Sequence, residues 1–154
     1  MKDHEIQNIV TLFDQTFNGP AWHGPSVQEV LKNISTKDAL KTVGNAHNIA
    51  ELVFHMIAWR NFLIKTLKGE KDYEVSPEEN FQKINSISIK EWPDLKSKLQ
   101  ASQDELKELL SKENDEILNQ KVGNRKYTFY KLMHGVIQHD LYHLGQIILI
   151  NKYT

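Results

Sequence analysis

Residues 128–148 read Thr-Phe-Tyr-Lys-Leu-Met-His-Gly-Val-Ile-Gln-His-Asp-Leu-Tyr-His-Leu-Gly-Gln-Ile-Ile. Phe129, Leu132, Met133, Val136, Leu144, Ile147 and Ile148 fall at helical spacing and form one apolar stripe, with Leu141 at its edge. Thr128 is suited to cap the start, and the pattern predicts a helix running nearly to the end of the chain. The same helix carries His139 and His143. Four residues apart, they differ by about 40° around the axis and stack on one face, beside the apolar stripe.

Working outward from this helix, the same periodicity recurs three times. Residues 113–127 read as a connector whose Gly123-Asn124 marks a turn or a short hairpin. Before it, Ser88 with Glu91 opens a helix that carries Trp92, Leu95, Leu99, Leu106 and Leu110 and ends near Lys112. Pro93 falls in its first turns, where a missing N–H costs little. Residues 69–87 are polar, with Ser76-Pro77-Glu78-Glu79 reading as a helix start. From about Asn48 to Lys68 a further helix bears Ile49, Leu52, Val53, Met56, Trp59 and Leu63, with Gly69 as terminator. Residues 3–17 place Ile6, Ile9, Val10, Phe13 and Phe17 on one face, and residues 18–25 interrupt the helix with Gly and Pro. Ser26 and Glu29 form a capping box for a short helix ending near Asn33, and residues 36–41 are a candidate for another helical turn. The expectation is one all-α domain over residues 1–154, a four-helix bundle. The connection of ~20 residues between the second and third long helices is long enough for a crossover, so the middle helices can run parallel.

Composition narrows the chemistry. The chain has 154 residues, a net charge of −1 and no cysteine. Charge near zero offers no field for nucleic acid or a membrane surface, and no apolar run approaches the ~20 residues of a membrane span. Without a secretory signal at the start, the expected location is cytoplasmic. Without thiolates, any metal must be held by His, Asp or Glu. His55 lies mid-way along the second long helix, beside Leu52, Met56 and Trp59. With His139 and His143 it makes three imidazoles on two helices, a set that leaves coordination positions open as catalytic metal sites do. The duller reading is three histidines at the core border, satisfied by hydrogen bonds.

Three stretches resemble the DinB/YfiT-like family, described as metal-dependent enzymes of the DinB superfamily. They are residues 21–26 (Ala-Trp-His-Gly-Pro-Ser), residues 47–60 (His-Asn-Ile-Ala-Glu-Leu-Val-Phe-His-Met-Ile-Ala-Trp-Arg) and residues 139–147 (His-Asp-Leu-Tyr-His-Leu-Gly-Gln-Ile). The last is similar to the family's His-x-x-Tyr-His-x-Gly-Gln signature. The resemblance implies a four-helix bundle with a long crossover between helices 2 and 3, and one divalent metal, zinc or nickel foremost and iron as a third, held by His55, His139 and His143. It also implies a bacterial setting, a homodimer as one arrangement, and a small-molecule substrate. Some relatives transfer low-molecular-weight thiols such as bacillithiol to electrophiles or isomerise with mycothiol. The expected activity is therefore a metal-dependent transferase of such a thiol cosubstrate, or a hydrolase. The alternative is a non-catalytic metal-binding or interaction protein of stress response.

Around this centre several residues are candidates. Asp140 points about 100° away from His139 and is expected to pair with another side chain, or to hold an imidazole by its far N–H. Glu51, one turn before His55, is a candidate base, although a glutamate on a helix is more often solvated. His23, Trp59, Tyr142 and Gln146 are candidate pocket residues, with a packed loop position as the plainer reading of His23. Trp22, Trp59 and Trp92 are expected as core or pocket walls. His47 is expected near the cap of its helix, and His134 is expected to face elsewhere.

Overall fold

The structure, a computed structural model, describes residues 5–154. It contains α1 (Glu5–Asn18), α2 (Val27–Lys32), α3 (Ile49–Leu67), α4 (Pro77–Asn80), α5 (Glu91–Ser111) and α6 (Phe129–Tyr153), with 3-10 turns at Asp38–Leu40 and Asp115–Asn119. Among the described residues there is no strand. Where a hairpin was a candidate there is a single bridge between Lys121 and Thr128. Gly123 turns that segment with φ +57°, and a side chain there would collide with the Lys71 carbonyl. Among the described residues no helix is long and apolar enough to cross a membrane.

The caps read at Ser26 and Ser76 are present and Asn48 adds a third, whereas Thr128, suited to cap α6, makes no side-chain capping bond. Ser26, Asn48 and Ser76 each accept from the backbone three residues on, and Glu29, Glu51 and Glu79 return the bond. These reciprocal bonds satisfy donors that a helix start would otherwise leave open. The segment opened by Ser76 is a single turn, because Phe81 is already extended. Ser88 and Glu91 exchange the same pair of bonds one turn ahead of α5.

The four long helices close into a ring in the order α1–α5–α3–α6, since α1 and α3 each pack against both α5 and α6. Helix directions follow from pairs along each interface. Arg60 meets Gln103, and Lys68 meets Glu105, so α3 and α5 are parallel. His55 meets His143, and Arg60 meets Asp140, so α3 and α6 are antiparallel. Lys107 bonds Asp14 while Asp115 accepts from Ile6 N–H, which sets α1 against α5. Parallel middle helices require the long connection over residues 68–90, as the sequence allowed.

The core falls into two clusters. One gathers Ile6, Ile9 and Phe13 with Leu106, Leu110 and Met133. The other gathers Phe17, Met56 and Trp92 with Leu99, Leu144 and Ile147. On each of α3, α5 and α6 a buried polar residue separates them: Arg60, Gln103 and Asp140. Trp92 is core, but Trp22, expected as core or pocket wall, is fully exposed. It sits in the loop between α1 and α2, where no element passes over it.

Candidate metal centre

His55 on α3 and His139 and His143 on α6 come together at the level of the polar layer. Their ligand atoms lie within 4.8 Å of one another, and no other such group of three occurs among the described residues. The antiparallel packing of the two helices brings this about, with the one-turn spacing of His139 and His143 placing both rings opposite His55. Nε2 of His139 lies 2.9 Å from Nε2 of His55 and 3.1 Å from Nε2 of His143.

The hydrogen bonds behind the rings decide what these atoms offer. His55 Nδ1 is 2.9 Å from the Asn80 carbonyl oxygen, and His143 Nδ1 is 2.6 Å from Gln146 Oε1. Both partners accept, so Nδ1 carries the proton on each ring and Nε2 keeps its lone pair. His139 Nδ1 is buried and has no partner. At most one of the three Nε2 atoms can then donate, so the group presents more acceptors than it can satisfy internally. A cation satisfies all three. Tetrahedral bonds of ~2.0–2.1 Å place ligand nitrogens about 3.3 Å apart, a few tenths wider than the separations here. The donor set therefore fits a divalent ion.

Burial lowers all three imidazole pKa values. His139 is taken down to about 3, by burial first and then by the neighbouring charges that His143, His55 and Arg60 can carry. For His55 and His143 burial again dominates, opposed by the bonds to Asn80 and Gln146. All three are neutral at pH 7, the state in which an imidazole ligates.

The surroundings revise several expectations. Asp140 pairs with another side chain, as its angle suggested: Oδ2 accepts from Arg60 Nε at 2.9 Å and Nη2 at 2.6 Å, and Arg60 Nη1 donates to Gln103. It does not reach an imidazole N–H, and its Oδ1 is buried without a partner. Glu51 is not solvated. It is fully buried, taking bonds from His47, Asn48 N–H and Ile84 N–H, and so anchors the start of α3 rather than reaching the histidines. His23 is exposed in its loop with Nε2 against the Pro25 carbonyl. It does not line the cavity beside the triad. Trp59 stands edge-on to His55 and His139 and donates to Asn80 Oδ1.

That cavity has a volume of about 620 Å³. Tyr142, His143 and Gln146 form one side, and His47 and Phe81 the other. Neither of these last two was singled out for the site in the sequence. Phe81 is sandwiched between His47 and His55, with centroids 3.9 Å from each and planes within 6°. His47 could have been found from the Asn48–Glu51 capping box, which places it against a helix start. Phe81 could not, because it arrives from the crossover.

The DinB superfamily model matches residues 22–147. The chain belongs to the DinB superfamily. Of curated relatives, the uncharacterized protein YizA of Bacillus subtilis is 25% identical over 130 residues, covering 81% of this chain and 71% of the relative. No solved structure matches. As a DinB-superfamily protein, it belongs to a group that is generally metal-binding, and its histidine triad is a group able to hold a metal ion.

Proposed function

We propose that this DinB-superfamily protein is a metal-dependent enzyme that transfers a low-molecular-weight thiol to a small electrophile, with His55, His139 and His143 holding one divalent ion. One observation carries the reading. Three neutral imidazoles converge through Nε2 beside an apolar cavity, and two of them are oriented from behind by Nδ1 bonds. Zinc, nickel and iron all suit an all-imidazole set. When bound, the ion supplies a Lewis acid that lowers the pKa of a thiol or water at its open position.

The chain's own residues supply orientation and exclusion of water. The Asn80 carbonyl and Gln146 fix the rings of His55 and His143, as outer partners of metal ligands do. Phe81 covers one face of His55. Leu149, Ile150 and Tyr142 give the cavity a wall suited to an uncharged body.

Elemental analysis of gently purified protein, alongside His55→Ala and His143→Ala, tests the site. The expected result is about one zinc, nickel or iron per chain, lost in both variants. Thiol-transfer assays with that metal then test the reaction. Unchanged metal content in His55→Ala would remove the triad from the reading, and a loaded protein inert towards every thiol and electrophile pair would leave a non-catalytic metal protein.

A further inference from the structure

The cavity beside the triad is bordered by a fourth imidazole that the metal centre does not use. His47 directly precedes the Asn48 cap of α3, and its ring lines the cavity while remaining about half exposed, 46% by side chain. Nδ1 lies 2.8 Å from Glu51 Oε2. Burial pushes the Glu51 carboxyl up, but bonds from Ile84 N–H, His47 and Asn48 N–H and the charge of Lys83 outweigh it, so Glu51 stays below its usual pKa. A carboxylate only accepts, so Nδ1 of His47 carries a proton, and in the neutral form of the ring Nε2 keeps a lone pair. The stack on Phe81 fixes the plane of the ring. His47 is thus an acceptor oriented from two sides.

The rest of the cavity wall is of the opposite character. Val43, Leu52, Tyr142, Leu149 and Ile150 dominate it, and among the described residues no Lys, Arg, Asp or Glu takes part. An ionic ligand entering here would find no counter-charge among the described side chains of the wall to offset its lost hydration. A ligand with no donor would shed water from His47 Nε2 and leave it unpaired, which also costs affinity.

We infer that the cavity takes a neutral, largely apolar molecule with one O–H or S–H group, which donates to His47 Nε2. His47 is then a specificity-determining residue and Glu51 the residue that positions it. The inference deepens the proposed function and rests on it only in placing the reacting end of the ligand beside His143.

Binding of two matched probes to the full chain tests this: 1-naphthol, and 1-methoxynaphthalene, which lacks the donor. Calorimetry on chelator-treated protein makes the result independent of any metal, and the metal content of untreated samples reports separately on the triad. The wild type should bind 1-naphthol about tenfold more tightly than the ether, the worth of one net hydrogen bond. His47→Phe, which keeps a ring against Phe81, should bind both alike. Leu149→Lys, at an exposed position of the wall, should weaken both together. 1-Naphthylmethanethiol, whose thiol stays protonated at neutral pH, distinguishes in parallel an S–H from an O–H donor, and tighter binding than the ether by either donor supports the inference. Equal wild-type affinities, no binding, a preference that survives in His47→Phe, or a Leu149→Lys variant that binds as the wild type does would each overturn it.

Discussion

At Asp140 one side chain separates two roles that its place in the sequence confuses. It follows a candidate ligand directly, yet a helix turns it about 100° aside, and its carboxylate ties α6 to Arg60 on α3. Both groups are fully buried. Removing one partner of such a pair leaves the other charge without compensation, so Asp140→Ala should cost about 3–5 kcal/mol in urea denaturation. A loss under about 1 kcal/mol would mean that Gln103 suffices for Arg60. The turn away from His139 was legible in the sequence, but the partner was not, because 80 residues separate Arg60 from Asp140. Glu51 was misjudged for a related reason: glutamates are usually exposed, and only distant groups such as Ile84 N–H make its burial tolerable. The histidines carry a further expectation at this scale. With folded pKa values below the unfolded ~6.5, the metal-free protein binds fewer protons folded than unfolded. The neutral triad's contribution to stability is therefore present above pH ~6.5 and is lost as pH falls through the folded values, to about 3 for His139. The wild type should lose stability over that window faster than His139→Leu, in urea titrations of chelator-treated samples. Parallel pH profiles would contradict the lowered values.

Among the elements, the helices and the crossover differ in how far the sequence discloses them. Apolar periodicity locates all four long helices, and the Ser88–Glu91 pair marks the start of α5, because both signals are local. Residues 80–84 instead take their course from distant partners. Asn48 Nδ2 donates to the Ile84 carbonyl, Ile84 N–H donates to Glu51, and His55 bonds the Asn80 carbonyl. No local pattern encodes such bonds, so the wall that places Phe81 between two imidazoles was beyond reach of the sequence. Glu51 joins the two kinds of element. Its removal in Glu51→Ala opens the capping box and strands the Ile84 N–H, at a combined cost of about 2–3 kcal/mol. Hydrogen exchange should quicken over residues 81–86 more than along α5. Uniform quickening would place the effect in the bundle as a whole rather than in the strap that Glu51 holds.

For the whole molecule the relevant contrast is between two apolar clusters and the polar layer that divides them. Each cluster draws on helices α1, α3, α5 and α6. The bundle is therefore closed by apolar packing above and below the histidines, and Arg60, Asp140 and Gln103 bond one another without them. Folding does not depend on the triad being filled, unlike small domains whose core is the metal site itself. Removing metal by chelation should leave the helical circular dichroism signal unchanged. Stability should nonetheless respond by mass action, since an ion that binds only the folded form adds about 2.7 kcal/mol at 100 times its Kd. For a chain of this length that amounts to a rise in Tm of roughly 5–10 °C on adding the ion, absent in His143→Ala. A chelated protein that loses its helical signal would make the ion a structural element and weigh against an open reacting site. A protein that keeps both its helices and its Tm, with or without metal and at saturating concentrations, would mean that the three imidazoles do not bind the ion in the folded state.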